Sequence, residues 1–182
     1  EAYGEANTRA ISRAHTFEPP LDITMRDSAT TPIWAERLEG RALPNGSVRL
    51  GKPKRVPTME GFAQGVWWVQ DAAATFPALL LGDVSGQKII DLAAAPGGKT
   101  LQLIAGGASV TAVDQSRERL ERLFENLERM EVSADTDVAD ARYYRPKEQV
   151  DAVLLDSPCS ATGTARRHPD VIWSKTPEAV AS

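Results

Sequence analysis

The sequence is poor in cysteine and has no long apolar run. Its 182 residues include one cysteine, Cys159. A lone cysteine cannot form an internal disulfide, which is typical of proteins kept in a reducing cytosol. No apolar stretch approaches the roughly 18 residues of a membrane-spanning helix. The opening EAYGEANTRA also lacks the basic and then apolar order of a secretory signal. We therefore expect a cytoplasmic protein with no membrane partner.

The chain also lacks an initiator methionine and an excess of positive charge. Because it opens on Glu1, we expect a piece of a longer protein. The 21 Lys and Arg residues against 25 Asp and Glu give a net charge of −4. This balance excludes a globally basic nucleic-acid coat and leaves local basic clusters open. A hydrophobic fraction of 42% and a charged fraction of 25% indicate a globular protein.

The first part of the chain differs from the rest in being rich in proline and short of long periodic segments. The stretches LDITMR and GSVRL indicate strands, and TPIWAERLEG indicates a short helix closed by Gly40. We predict a small α+β appendage over residues 1–57 and a main domain over residues 58–182.

Beyond Gly61, strand-like segments alternate with helical ones. Strands are predicted in GVWWVQ, QKIIDLA, SVTAVD, TDVAD and VDAVLLD. Helices are predicted in DAAATFPALLLG, capped by Asp71 and kinked at Pro77, in KTLQLIAGG, and in RERLERLFENLERM, capped by Ser116. The last helix should bury the face formed by Leu120, Leu123, Phe124, Leu127 and Met130. This alternation predicts an α/β, Rossmann-like fold: a parallel sheet with helices on both faces.

The stretch DLAAAPGGKT, Asp91 to Thr100, ends like a nucleotide phosphate loop. That loop needs a glycine, four further residues and then Gly-Lys-Ser/Thr, so the first glycine should stand where Ala93 does. Alanine resists the positive φ that glycine permits, which disfavours a phosphate-cradling turn. A nucleotide-binding loop therefore fails at its first residue, although VDAVLLD resembles a magnesium-binding strand end.

A second reading of the same stretch uses the acids at strand ends. Asp91, Asp114, Asp140 and Asp156 are each predicted at the carboxyl end of a strand, and Asp91 is followed by alternating small residues. Open α/β sheets bind ligands at that edge. An acid ending the first strand suits a cationic amino group, and one ending the second suits ribose hydroxyls. Together these features favour S-adenosylmethionine, while NAD remains an alternative.

Three motifs resemble those of the Sun/Fmu-type RNA cytosine-5 methyltransferases, which modify small-subunit ribosomal RNA. They are DLAAAPGGKT, VTAVDQSRERL and LLDSPCSATGTARRHPD, and the resemblance runs from about Gly61 to Trp173. It implies that a donor loop of Ala93, Ala94, Ala95, Pro96, Gly97, Gly98 and Lys99 binds S-adenosylmethionine. It further implies that Asp114 takes the ribose, that Asp140 lies near the adenine and that Asp156 lies between donor and cytosine. Ribosomal RNA is the implied partner, no metal is implied, and residues 1–57 would be an RNA-binding appendage.

The resemblance also implies chemistry that needs two thiols. In this family a cysteine in a later Thr-Cys motif adds to cytosine C6, and the Pro-Cys thiol, here Cys159, assists product release. The chain has no second cysteine and no strands after VDAVLLD. We therefore expect an incomplete sheet and a fragment that is inactive alone.

Two other functions stay open from the sequence. One is a nucleotide- or NAD-binding enzyme, and the other is a non-catalytic RNA-binding module with a vestigial loop. Arg166 and Arg167, close to Cys159, are either RNA phosphate contacts or ordinary surface residues.

Overall fold

The computed structural model describes residues 3–51, 55–157, 164–174 and 176. The described residues form two compact units. The larger unit is Leu21–Ser157, and the smaller one combines the described residues before Leu21 with those after Ser157. Cys159 lies outside the described residues.

The smaller unit contains two helices, α1 (Gly4–His15) and α6 (Val171–Ser174). No residue of α1 is buried. Within this unit the Arg166 guanidinium donates to the carbonyl oxygens of Phe17 and Glu18 at 3.3–3.4 Å. Arg167 donates to the carbonyl oxygen of Pro20 at 3.0 Å. Both arginines are exposed, and their contact with RNA phosphates stays a prediction.

The larger unit begins with an antiparallel sheet. Its strands are β1 (Leu21–Met25), β2 (Arg41–Ala42), β3 (Ser47–Leu50) and β4 (Trp67–Val69), in the order β2-β3-β1-β4. Helix α2 (Thr31–Arg37) connects β1 to β2. Alternate side chains enter one apolar cluster that includes Ile23, Val48, Trp67 and, from α2, Trp34. The predicted strands in LDITMR, GSVRL and GVWWVQ and the predicted helix in TPIWAERLEG are confirmed.

Gly40 takes part in closing α2 as predicted, because its amide donates to the Ala35 carbonyl oxygen at 2.7 Å. The left-handed residue after α2 is Glu39, with φ 56°. A Cβ on Gly40 would lie 2.6 Å from the Leu50 side chain, so glycine is needed there for close packing against β3. The strand β4 pairs with β1, so the antiparallel sheet takes its last strand from beyond residue 57. The boundary between residues 57 and 58 stays a prediction.

Asp22 in β1 connects this sheet to the segment that follows β4. Its buried carboxylate accepts two hydrogen bonds from the Arg49 guanidinium, at 2.7 and 2.8 Å. It also accepts one from the Ala72 amide at 3.0 Å. A buried carboxylate is stable only when it is paired and hydrogen-bonded, and Asp22 meets both conditions. The backbone just after Gln70 and Asp71 is therefore held against β1.

The segment predicted as one helix after Asp71 is two short ones. A 3₁₀ helix runs over Ala72–Thr75, and α3 follows at Phe76–Leu79. Asp71 caps the first of them, because its carboxylate accepts from the Ala73 amide at 2.9 Å. Pro77 lies in the first turn of α3, where its missing amide hydrogen has no helical partner to lose. The proline therefore marks the start of a helix and does not kink one.

The rest of the larger unit is the predicted parallel sheet. Its strands are β5 (Lys88–Leu92), β6 (Ser109–Asp114), β7 (Asp135–Val138) and β8 (Ala152–Leu155), in the order β7-β6-β5-β8. Every neighbouring pair is parallel. Helix α4 (Gly98–Ala105) links β5 to β6, and α5 (Arg117–Arg129) links β6 to β7. The Rossmann-like α/β class is confirmed.

Helix α5 was predicted with one face of five apolar residues, and four of them are buried. Phe124 is 48% exposed, so its inclusion in the face was wrong. At about 100° per residue, Phe124 stands on the flank of the stripe formed by Leu120, Leu123 and Leu127. Ser116 caps the helix as predicted, its hydroxyl accepting from the Arg119 amide at 3.2 Å.

Candidate donor-binding site

The loop after β5 carries most of the predicted site. Ala93 has φ 60°, so the argument that alanine would avoid a left-handed conformation here was wrong. Gly97 has φ 103° and precedes the first residue of α4. A Cβ on Gly97 would lie 3.1 Å from Leu123 Cγ, so the loop lies directly on α5 at this point. The left-handed conformation favours glycine at position 97, and a side chain there would also require Leu123 to shift.

Asp114, at the end of β6, fixes this loop through hydrogen bonds to its carboxylate. The carboxylate is buried and accepts from the Ala95 amide at 3.2 Å and the Ser116 amide at 3.0 Å. Arg119 Nη1 lies 3.5 Å from the same carboxylate, and Arg119 Nη2 donates to the Ala95 carbonyl oxygen at 2.6 Å. Both polar atoms of the Ala95 backbone are thus engaged by the end of β6 and the start of α5.

A cavity of about 480 Å³ lies beside the loop, within the larger unit. The predicted residues that line it are Asp91, Ala93, Ala94, Ala95, Pro96, Gly98, Lys99 and Asp156. Gly97, Asp114 and Asp140 are not in its lining. The structure therefore brings together most of the predicted loop and the acid that follows β8.

Two of the carboxylates that line the cavity, those of Asp91 and Asp156, lie near the Lys99 ammonium. The Lys99 ammonium and the Asp156 carboxylate form an ion pair at 2.6 Å. The buried carboxylate of Asp91 accepts from the Thr100 hydroxyl at 2.6 Å. Burial raises the pKa of Asp91 to about 6, against the opposing effects of the Thr100 hydrogen bond and the positive charge of Lys99. Such a perturbed carboxyl in a cavity is typical of a functional site.

Asp140 lies away from this group. It comes two residues after β7 ends at Val138. Its carboxylate binds the Arg142 guanidinium, with a shortest distance of 2.7 Å. The Arg142 hydrogen bonds lower the pKa of Asp140 below its usual value. The predicted contact of Asp140 with an adenine stays a prediction.

The sequence reasoning missed the rest of the cavity lining, which includes residues of β4 and of the end of α5. Its further lining residues are Val56, Phe62, Trp68, Val69, Gln70, Asp71, Ala74, Leu101, Asn126 and Arg129. The Gln70 side chain is fixed, accepting from Trp68 Nε1 at 2.8 Å and donating to Gln102 Oε1 at 3.0 Å. The signal available was the pair Gln70-Asp71 directly after a strand, the same kind of signal that identified Asp91.

Two further properties bear on function. Within the described ranges there is no helix both long enough and apolar enough to span a membrane. The same residues contain no cluster of three or more His, Cys, Asp or Glu side chains suited to a metal ion.

Known proteins resemble this chain in sequence. Residues 78–182 match the family described as 16S rRNA methyltransferase RsmB/F. The ribosomal RNA small subunit methyltransferase B of Cronobacter sakazakii is 39% identical over 178 residues, which are 91% of this chain and 42% of that protein. Its namesake from Salmonella newport is 39% identical over 176 residues, covering 90% of this chain and 41% of that protein.

Solved structures share the fold. The crystal structure of PH0851 has a TM-score of 0.85 at 26% identity, over 97% of this chain and 43% of that one. A methyltransferase homolog from Pyrococcus horikoshii has a TM-score of 0.70 at 24% identity, over 92% and 57%, and shows the fold alone. NSun6 from Pyrococcus horikoshii with SFG has a TM-score of 0.54 at 30% identity, over 67% and 37%.

The parallel sheet, the small-residue loop at its carboxyl edge and these structural relatives define a Rossmann-like, S-adenosylmethionine-dependent methyltransferase fold. The chain belongs to the 16S rRNA methyltransferase RsmB/F family. It spans 42% and 41% of the length of the two curated relatives just described.

Proposed function

We propose that the donor loop and its cavity bind S-adenosylmethionine, and that the chain is part of an enzyme that methylates cytosine C5 in small-subunit ribosomal RNA. The observation that carries this proposal is the buried Asp91 carboxylate beside the Lys99 ammonium in one cavity. A zwitterionic amino-acid tail needs an anion and a cation side by side. The names of the Cronobacter and Salmonella relatives, which specify small-subunit ribosomal RNA, support the substrate.

The residues present fit such a donor, which supplies an electrophilic methyl group on a sulfonium. Asp91 would hold the amino group, and Lys99 would hold the carboxylate while remaining near Asp156. The apolar side chains of Phe62, Trp68 and Leu101 provide walls for a ligand of this size. Asp114 would accept from the ribose in addition to its bonds within the loop, and Asp140 would lie near the adenine.

The part of the reaction that takes place on the cytosine ring needs a thiol. A thiolate adds to cytosine C6, and C5 then attacks the methyl carbon, whose bond to the sulfonium sulfur breaks so that S-adenosylhomocysteine leaves. A base removes the C5 proton, which expels the thiolate. We assign Cys159 the release step and assign the addition to a second cysteine of the full-length enzyme. The 182-residue chain, which has one cysteine, would then transfer no methyl group by itself.

A nucleotide- or NAD-binding function is the alternative that the cavity disfavours. A pyrophosphate carries negative charge and prefers a helix N-terminus free of carboxylates. Asp71, Asp91 and Asp156 line this cavity. Calorimetric titration of the chain with S-adenosylhomocysteine, ATP and NADH separates these functions. We expect binding of S-adenosylhomocysteine only, and binding of ATP or NADH without it would contradict the proposal.

The RNA partner, the cytoplasmic location and the RNA-binding role of residues 1–57 belong to the same proposal. Exposed basic side chains of α1, such as Arg13, would contact phosphates. Binding of a small-subunit RNA transcript should weaken with added salt and weaken further in Arg13→Gln. An unrelated transcript of equal length is the control. Equal affinity for both transcripts would leave a non-catalytic RNA-binding module as the better description.

A further inference from the structure

Two side chains one turn apart on α5 connect the antiparallel sheet region to the donor loop. The Asn126 amide, through Nδ2, donates to the Pro96 carbonyl oxygen at 3.1 Å. Its Oδ1 accepts from Arg129 Nη2 at 3.3 Å. Arg129 Nη1 in turn donates to the carbonyl oxygens of Phe62 at 2.8 Å and Trp67 at 3.1 Å. A continuous chain of hydrogen bonds thus runs from the backbone of Phe62 and Trp67 to the loop.

Arg129 is the fixed end of this connection. Its guanidinium lies over the Phe62 ring, 4.0 Å from the centroid, and burial lowers its pKa. In the part of the chain that the structure describes, it has no carboxylate within ion-pair distance. Two backbone carbonyls and one aromatic face therefore decide where the guanidinium points.

The orientation of Arg129 decides the orientation of Asn126. An asparagine side chain accepts hydrogen bonds through Oδ1 and donates them through Nδ2. Because Arg129 can only donate, it holds Oδ1 of Asn126 on its own side. The NH₂ group is then turned towards Pro96, where it meets a carbonyl oxygen. The opposite amide orientation would place a donor against a donor and an acceptor against an acceptor.

We propose that Asn126 and Arg129 are positioning residues for the donor loop, an inference that rests on the proposed donor site. The other two anchors of the loop, Asp114 and Arg119, hold the Ala95 backbone. Asn126 holds the next carbonyl, that of Pro96, immediately before the left-handed Gly97. The loop then has its donor-binding shape only when Arg129 is seated on the Phe62 and Trp67 carbonyls.

Asn126→Asp separates positioning from stability. The substituted carboxylate is isosteric, still accepts from Arg129 and gains a charge partner, so the thermal midpoint should stay the same or rise. It has no N–H for Pro96 and faces that carbonyl with an oxygen. The Kd for S-adenosylhomocysteine should therefore rise about three- to tenfold, as the loss of one hydrogen bond predicts. A merely structural asparagine would show the reverse pattern, with lower stability and unchanged affinity.

Arg129→Lys tests the other end. Lysine keeps the charge and loses the planar fork, so Asn126 should no longer be held in one orientation. The Kd for S-adenosylhomocysteine should therefore rise in this variant, as it should in Asn126→Asp. The double variant should lose less affinity than the sum of the two single changes, because both break one connection. Fully additive losses would overturn the proposed coupling. Glu128→Gln, an exposed change on the same helix and outside the cavity lining, is the matched control.

Hydrogen exchange measured without ligand separates the positioning role of Asn126 from the existence of the donor site. The Gly97 amide donates to the Ala94 carbonyl oxygen at 2.8 Å, so its hydrogen exchange reports on the loop. We expect faster exchange at Gly97 in Asn126→Asp, with the amides of α5 unchanged. An unchanged Gly97 rate, or unchanged S-adenosylhomocysteine affinity in that variant, overturns the positioning role while leaving the donor site intact. Absence of binding by the unsubstituted chain overturns both.

Discussion

The Lys99 ammonium and the Asp156 carboxylate form an ion pair at 2.6 Å although they are 57 positions apart in the sequence. Lys99 is the last residue of the donor loop and lies in the first turn of α4, and Asp156 directly follows β8. The pair therefore connects the carboxyl ends of two adjacent parallel strands, β5 and β8, at the cavity. A cation with one carboxylate partner in place remains able to accept a second from a ligand.

Lys99→Met should weaken binding of S-adenosylhomocysteine and have little effect on stability. Asp156 is more than half exposed, so water replaces its lost partner and the free energy of unfolding should change by less than about 1 kcal/mol. Calorimetry and thermal unfolding measure the two effects. Lys88→Met removes an ion pair of the same 2.6 Å length, with Glu148, outside this cavity. Equal affinity in both variants would exclude Lys99 from the site.

Gly97→Val should abolish detectable S-adenosylhomocysteine binding. The valine meets both a left-handed backbone, with φ 103°, and the Leu123 side chain, 3.1 Å from the new Cβ. Gly86→Val separates these causes, because Gly86 has φ 72° and open space around its Cβ. That control should lose stability through strain, by about 1–2 kcal/mol, and keep its affinity. Normal binding by a folded Gly97→Val chain would show that the loop is misassigned.

Asp91 should make stability fall as pH rises from about 4 to about 6. Its folded pKa, about 6, lies above the value of 3.8 for a free aspartate, so the native state binds the extra proton in that window. The full effect is on the order of 3 kcal/mol. Denaturant unfolding at several pH values measures it. The slope should disappear in Asp91→Asn, and an identical slope in that variant would exclude Asp91 as its source.

The same ionisation should control donor affinity with the opposite sign. A cationic amino group binds the ionised carboxylate, so S-adenosylhomocysteine should bind more tightly as pH rises through about 6 and then level off. Titrations at pH values on both sides of 6 test this. If Asp91→Asn retains the wild-type profile, another group holds the amino end of the donor.

Asp114→Ala should weaken binding by about 1.5–3 kcal/mol, the usual effect of losing a charged hydrogen-bond partner. The change removes the proposed ribose acceptor and also frees the Ala95 amide. Asp140→Ala is the comparison, since its carboxylate pairs with Arg142 outside the cavity lining. An effect of Asp140→Ala as large as that of Asp114→Ala would favour the predicted adenine contact.

Cys159→Ala in the full-length enzyme should trap the covalent RNA adduct. If Cys159 assists release, the variant still forms the link and dissolves it slowly. Denaturing gel mobility of enzyme mixed with RNA and methyl donor detects the link. A shifted band from the 182-residue chain that is lost in Cys159→Ala would instead identify Cys159 as the attacking nucleophile.

Much of the fold could be predicted from the residues of each helix or strand taken alone. The strands β5, β6 and β8 are apolar runs, and α5 has a clear cap and stripe, so each could be identified from its own residues. The pairing of β4 with β1 could not, because a three-residue strand contains no information about its partner. The break between the 3₁₀ helix and α3 was missed because Pro77 could stand either at a kink inside one helix or in the first turn of a new helix. The sequence does not distinguish these two placements.

The loop could be located from its small residues and the acids around it. The side of the cavity formed by Trp68 and Arg129 could not, because these residues reach the loop only through the packing of α5 and β4. Asp140 shows the opposite limit. Like Asp156 it was predicted at the end of a strand, and yet it lies two residues beyond β7 and a neighbouring arginine binds it. The position of a residue at a strand end determines where its backbone lies. It does not determine which group its side chain binds.

The bond from the Ala72 amide to the buried Asp22 carboxylate has a practical consequence. A chain cut before residue 58 would lose β1 and with it Asp22, while keeping Trp67 and Trp68, which are buried in the uncut protein. Trp68 packs among residues that the cut chain keeps, whereas Trp67 loses the Ile23 and Val48 side chains of its cluster. One indole ring and an unpaired strand edge would then face solvent, a combination that favours aggregation. The parallel sheet should therefore be insoluble when expressed without the antiparallel one, and limited proteolysis between the two should release no soluble core.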